Sequence, residues 1–132
     1  MNKITRTVEI SDELIENVLC SAFEGGIVYW ANNISCEDIK DMHKVGGYKH
    51  EYLTKTEKED AVMYIHTMEG EKVKITKSLI LEALQQMGDP KNKCTKALSR
   101  ILNEEYDADD ADLAVQIACL YLVMCITIRI YF

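Results

Sequence analysis

Six carboxylates fall within the nine residues EEYDADDAD: Glu104, Glu105, Asp107, Asp109, Asp110 and Asp112. Oxygen at that density suits a hard-cation site, an acid–base pair or a charged docking surface. A calcium loop requires oxygen ligands at alternating positions, a central glycine and a distal glutamate. Counted from Asp107, the fifth position is Ala111 and the twelfth is Ala118, so that motif fails. An acid–base or dimetal pair would need a supporting His or Lys, and none lies nearby in sequence. Two readings remain. In one, an aspartate caps the last helix, others favour its N-terminus, and the surplus is a solvated turn. In the other, the run is an acidic surface that competes with nucleic acid for a basic groove, with an attraction that weakens in salt.

A second constellation is Glu24, Gly25 and Gly26 followed by Ile27, Val28, Tyr29 and Trp30. Accessible backbone beside large amphipathic rings suits a ligand or an interface, with an exposed-looking aromatic pair. The competing reading is that Tyr29 and Trp30, the sole tryptophan, close one edge of the core. The histidines, His43, His50 and His66, lack metal-ligand spacing, although His50 and His66 could face one another on adjacent strands. A hydrogen-bonded strand histidine is the plainer reading. Cys20, Cys36, Cys94, Cys119 and Cys125 are odd in number and contain no CxxC pair. They point to reduced thiols, with Cys20 and Cys119 acting as small core hydrophobes. No serine lies in a nucleophile elbow, and there is no P-loop, HExxH or GxGxxG.

Positioning these groups is the work of one domain. The chain has 132 residues, 48% of them hydrophobic, and a single proline, enough to bury a core without staples. A formal charge of −7 argues against gripping nucleic-acid phosphates over a broad surface and favours a basic partner or none. The N-terminus carries no signal-peptide pattern. Leu113 to Phe132 is a twenty-residue apolar run broken by Gln116, Thr127 and Arg129. It reads as a buried helix, Leu113 through Met124, passing into a strand over Cys125–Phe132; the competing reading is a membrane tail, for which the intramembrane Arg and Gln are costly.

The remaining elements follow from periodicity. Ile4 to Ile10 alternates and predicts a short strand. Ser11 caps a helix whose stripe is Leu14, Ile15, Val18, Leu19, Ala22 and Phe23, with Ile10 and Ile15 at staple positions; Gly25 or Gly26 would end it in a left-handed conformation. Asn32 to Gly47 predicts a short helix, then a loop. Strands are expected at Tyr48–Tyr52, at Val62–His66 and, after the Glu69-Gly70-Glu71 turn, at Val73–Ile75. Thr76 caps a helix from Lys77 to Met87, stopped at Gly88, and a further helix runs from about Thr95 to Glu105. The order predicts an α+β domain: a small antiparallel sheet of three to five strands packed against three to four helices.

The short strand, the helix ending AFEGGIVYWA and the acidic turn running into ADLAVQIA together resemble a family of small proteins of phages, prophages and other mobile elements. The likeness rests on Ala22 to Ala31 and Asp107 to Ala118, with the middle matching in pattern alone. After Ala118 those proteins tend to finish in a short Phe/Gly-containing tail, whereas this chain continues through Cys125 to Phe132. The resemblance implies an accessory gene of a mobile element, a class that often encodes inhibitors of host defence.

The expectation is therefore a non-enzymatic, anti-CRISPR-like protein in the cytoplasm of an infected or lysogenic bacterium. It would bind a host defence component through Glu104, Glu105, Asp107, Asp109, Asp110 and Asp112, with Glu24, Gly25, Gly26, Tyr29 and Trp30 as a second contact. No cofactor, metal, membrane or direct nucleic-acid contact is expected, and a homodimer would bury the apolar corner and tail. The alternative is a protein that sequesters a small nucleotide signal, admitted by Gly25 and Gly26 and stacked on Tyr29 or Trp30.

Overall fold

The computed structural model describes residues 9–120. Helix α1 (Asp12–Ser21) starts where the sequence places it: Ser11 Oγ accepts from the Leu14 N–H at 3.1 Å, and Leu14, Ile15, Val18 and Leu19 are buried. It runs into a wider π-turn, Ala22–Gly26, closed by the Ile27 N–H donating to the Ala22 carbonyl at 3.0 Å. The expected left-handed glycine stop is absent, since neither Gly25 nor Gly26 has positive φ. Gly26 serves packing instead. A Cβ there would stand 2.5 Å from the carbonyl oxygen of Ala108, at the start of the last helix.

Strand β1 (Ala31–Cys36) comes next, then helix α2 (Ile39–Lys44), whose cap Asp38 accepts from the Asp41 N–H at 3.0 Å. The sequence predicted helix and loop over this whole stretch. ANNISC has weak strand propensity, and its pairing with a neighbour supplies what the propensity lacks. Tyr48–Tyr52, expected as a strand, lies instead at the start of helix α3 (Lys49–Lys55). There the adjacent Tyr52 and Leu53 are both buried, which a strand with one solvated face does not allow. The Tyr52 hydroxyl donates to Asp41 Oδ2 at 2.8 Å and ties α3 to α2.

Strands β2 (Met63–Thr67) and β3 (Lys72–Ile75) form the hairpin the sequence predicts, with Gly70 at φ 89° in its turn. The sheet order is β1-β2-β3, antiparallel throughout, with a bulge between Ala31 and Asn33. Met63, Ile65 and Ile75 face the helices; Tyr64, His66, Lys72 and Lys74 face outward, with the Lys72 ammonium 4.2 Å from the Tyr64 ring centre. The Thr67 N–H donates to the Glu71 carbonyl on the β3 side. Backbone direction alternates along a strand, so His66 and Tyr64 bond toward their β1 partners Asn33 and Ser35. The N–H and C=O of Ile34 consequently point away from β2, at the edge of the sheet that the described strands form.

Helix α4 (Lys77–Met87) is capped by Thr76, whose hydroxyl accepts from the Leu79 N–H at 3.1 Å; α5 (Thr95–Leu102) and α6 (Ala108–Cys119) complete the helical layer. Eight of the twelve residues of α6 are buried, which makes it the helix the others pack around. Ala111, Ala114 and Ala118 keep its surface low, so that α4, α1, the π-turn and β3 all reach it. Cys119 is among the buried residues, and burial pushes its thiol pKa up to about 12. Leu120, at φ 56°, ends α6, so the helical spacing read as far as Met124 is not one helix. Of the strand expected over Ile4–Ile10, Glu9 and Ile10 are described and lie in no strand, while the rest of it and the strand expected over Cys125–Phe132 lie outside the described residues. No helix among the described residues is long and apolar enough to cross a membrane.

Two neighbouring glycines are expected to respond in opposite ways to one methyl group. Gly26→Ala should cost about 2 kcal/mol in denaturant unfolding, because backbone rather than a flexible side chain stands in the way. Gly25→Ala, which meets nothing within 4 Å, should stabilise by about 0.5 kcal/mol.

Candidate functional site

The sites proposed from sequence become three different things in space. The first is a buried polar junction. Asp112 is 1% exposed, and its carboxyl oxygens accept from the Tyr29 hydroxyl at 2.7 Å, the Trp30 indole N–H at 2.7 Å and the Gln116 amide at 2.8 Å. The Gln116 amide also donates to the Tyr29 oxygen at 3.1 Å. Residues from the two motifs, 22–31 and 107–118, thus meet at one carboxyl group. Trp30 is buried rather than exposed-looking, while Tyr29 keeps about half of its surface. Asp112 belongs to this junction and not to a partner-binding surface, because no face of it reaches solvent.

The second is the acidic corner between α5 and α6. Asp110, 4% exposed, also turns inward: Arg100 grips it with Nε on Oδ2 and Nη2 on Oδ1, both at 2.7 Å. That bidentate pair is the main reason its carboxyl sits below the ordinary aspartate range. Asp107 and Asp110 form a reciprocal capping box, with the Asp110 N–H on Asp107 Oδ1 at 2.9 Å. What reaches solvent is Glu104, Glu105, Asp107 and Asp109.

The backbone of this corner is specific. The Glu105 N–H donates to the Arg100 carbonyl at 2.8 Å and the Glu104 N–H to the Ile101 carbonyl at 3.1 Å, the paired bonds of a Schellman ending. Glu104 occupies its left-handed position at φ 58°, where glycine is the comfortable residue.

The third is a cleft of about 500 Å³ between the π-turn, β1 and the start of α3. Phe23, Val28, Ile34 and Tyr48 supply its apolar lining, and Glu24 and Lys49 its charge. Val28 and Tyr48 are each more than half exposed. Of the residues the sequence singles out around the double glycine, Glu24 lines this cleft; the opposite wall is hidden in the sequence because the alternation of Tyr48, His50 and Tyr52 has the signature of a strand. The signal available was the Gly46-Gly47 pair, which turns the chain toward the cleft with φ of 117° and 80°.

The histidines lie apart from these three features or at their margins. His50 sits on α3 beside Glu51 at 3.5 Å rather than opposite His66. His66 is hydrogen-bonded to Ser35 Oγ at 2.7 Å across β1 and β2. Among the described residues no three His, Cys, Asp or Glu side chains converge to hold a metal ion.

Asp112→Ala removes the acceptor shared by three donors. It should lower stability by about 3 kcal/mol and shift Trp30 emission to the red, measured by fluorescence-monitored unfolding. The Arg100–Asp110 pair carries a pH signature. A carboxyl with a depressed folded pKa contributes stability above its unfolded value near 3.8, and that stability is lost as pH falls through the lower folded value. Arg100→Gln should therefore lower Tm at pH 6, with the gap to wild type closing below pH 4.

No protein-family pattern, curated protein or solved structure matches this chain.

Proposed function

We propose that this chain is a non-enzymatic binding protein that docks its acidic corner onto a basic surface of a partner protein. The partner class is the one the mobile-element resemblance implies, a bacterial host defence component such as an RNA-guided nuclease. The observation that carries the reading is the conformation of Glu104. A left-handed position costs a non-glycine residue on the order of 1 kcal/mol, and here it is occupied by an acid beside three more exposed acids. Stability favours glycine at that point. A carboxylate there is understood if the charge is needed in that place, where it completes a rigid anionic edge braced by the Arg100–Asp110 pair.

The alternative, sequestration of a small nucleotide signal at residues 25–30, fits less well. Trp30 lies in the core with its indole N–H bonded to Asp112, so it offers no open face to a base. Gly26 packs against α6 and offers no approach to its backbone.

The reading is tested by plaquing of a phage targeted by a host carrying active CRISPR immunity, with and without this protein. Wild type should restore plaquing, and the combined variant Glu104→Lys, Glu105→Lys, Asp109→Lys, all at exposed positions, should lose that effect while remaining folded. Glu104→Gly separates the two roles of that residue: stability should rise by about 1 kcal/mol while protection of the phage falls. Failure of wild type to restore plaquing on hosts representing each CRISPR class, or full activity in the charge-reversed variant, would count decisively against the proposal.

A further inference from the structure

The two edges of the sheet are treated differently by the sequence. β3 exposes Lys72 and Lys74, the kind of residue that discourages another strand from pairing along an edge. β1 has neither lysine nor proline, and beyond the bulge at its start, Asn33 to Cys36 pair regularly with β2. Among the described residues β1 pairs with β2 alone, so the outward N–H and C=O of Ile34 have no strand partner there. That edge also forms one side of the cleft, flanked by the apolar surfaces of Phe23, Val28 and Tyr48.

We propose that this edge is a binding site for an extended peptide segment of a partner, which adds to β1 as a fourth strand within the cleft. The exposed backbone pair of Ile34 requires a ligand with its own donor and acceptor at strand spacing, and an extended polypeptide supplies that. Side chains alternate along such a segment, so every second residue must be apolar to meet Phe23, Val28 and Tyr48, and an acidic residue on the α3 flank would meet Lys49. A second copy of this chain is a poor occupant. Its own β1 edge is recessed between the same π-turn and α3, and both copies would have to bring those walls into one space. A single peptide strand, about 4.8 Å from its neighbour, meets no such obstacle. The site is separate from the acidic corner and does not depend on the function proposed for it.

The test begins with selection of a phage-displayed random heptapeptide library on the wild-type protein, counter-selected on Val28→Lys/Tyr48→Lys. Both of these positions are exposed, so that variant should remain folded. Selected sequences should alternate apolar residues. A synthetic peptide of the leading sequence should slow amide hydrogen exchange at Ile34 at least tenfold while leaving Val73 of β3 unchanged. The Val28→Lys/Tyr48→Lys variant should bind it at least tenfold more weakly, and Glu104→Lys/Glu105→Lys/Asp109→Lys should bind it as wild type does. The proposal is overturned if no sequence enriches over the counter-target, or if a peptide binds without protecting the Ile34 amide. It is equally overturned if that amide is already protected, without peptide, in a concentration-dependent dimer.

Discussion

A buried carboxyl group with three hydrogen-bond donors around it fixes how α6 packs in this protein. Asp112 is costly to bury unless its oxygens are satisfied, and the groups that satisfy it come from distant parts of the chain, Tyr29 and Trp30 from one side and Gln116 from the next turn of its own helix. Hydrophobic burial alone would allow α6 to slide or rotate against the π-turn. Hydrogen bonds of fixed length and direction allow one placement. The close approach of Gly26 to the Ala108 carbonyl is the steric counterpart of the same contact.

Once α6 is fixed, the elements around its N-terminal half acquire their roles. Its N-terminus carries the capping box, and the Asp110–Arg100 pair joins it to the end of α5, so the exposed acids project from a corner braced on both sides. The π-turn, held against the other side of α6, forms one wall of the cleft. The acidic corner and the cleft are therefore positioned by a single packing arrangement, although no residue belongs to both.

Where the sequence was legible, local chemistry and burial agreed. Ser11 and Thr76 cap the helices their positions imply, the Glu69-Gly70-Glu71 turn forms a hairpin, and Lys77–Met87 is the helix its stripe describes. It was illegible where tertiary pairing decides. ANNISC becomes a strand because β2 needs a partner, and Tyr48–Tyr52 becomes helical because both Tyr52 and Leu53 find the core. The acidic run was visible as composition, but its division into an exposed set and an inward pair depends on Arg100 and on Tyr29 and Trp30. Only the fold brings those residues near, and periodicity carries no information about it. The motif residues 25–30 were singled out as a surface for the same reason: a buried indole bonded to a carboxyl 82 positions away looks, in one dimension, like an exposed one.

The separation of Trp30 from Asp112 also has a meaning during synthesis. At 5–20 residues per second, about 4–16 s pass between the addition of the tryptophan and that of the aspartate that receives its N–H. Through that interval α1, and once Ile75 has been added the β-hairpin too, lacks the helix it packs against. The nascent chain thus carries an apolar helix face and an uncovered sheet until α6 emerges. A product that ends before Asp112 lacks the acceptor for Tyr29 and Trp30, so translation must pass that residue before the molecule can complete its fold.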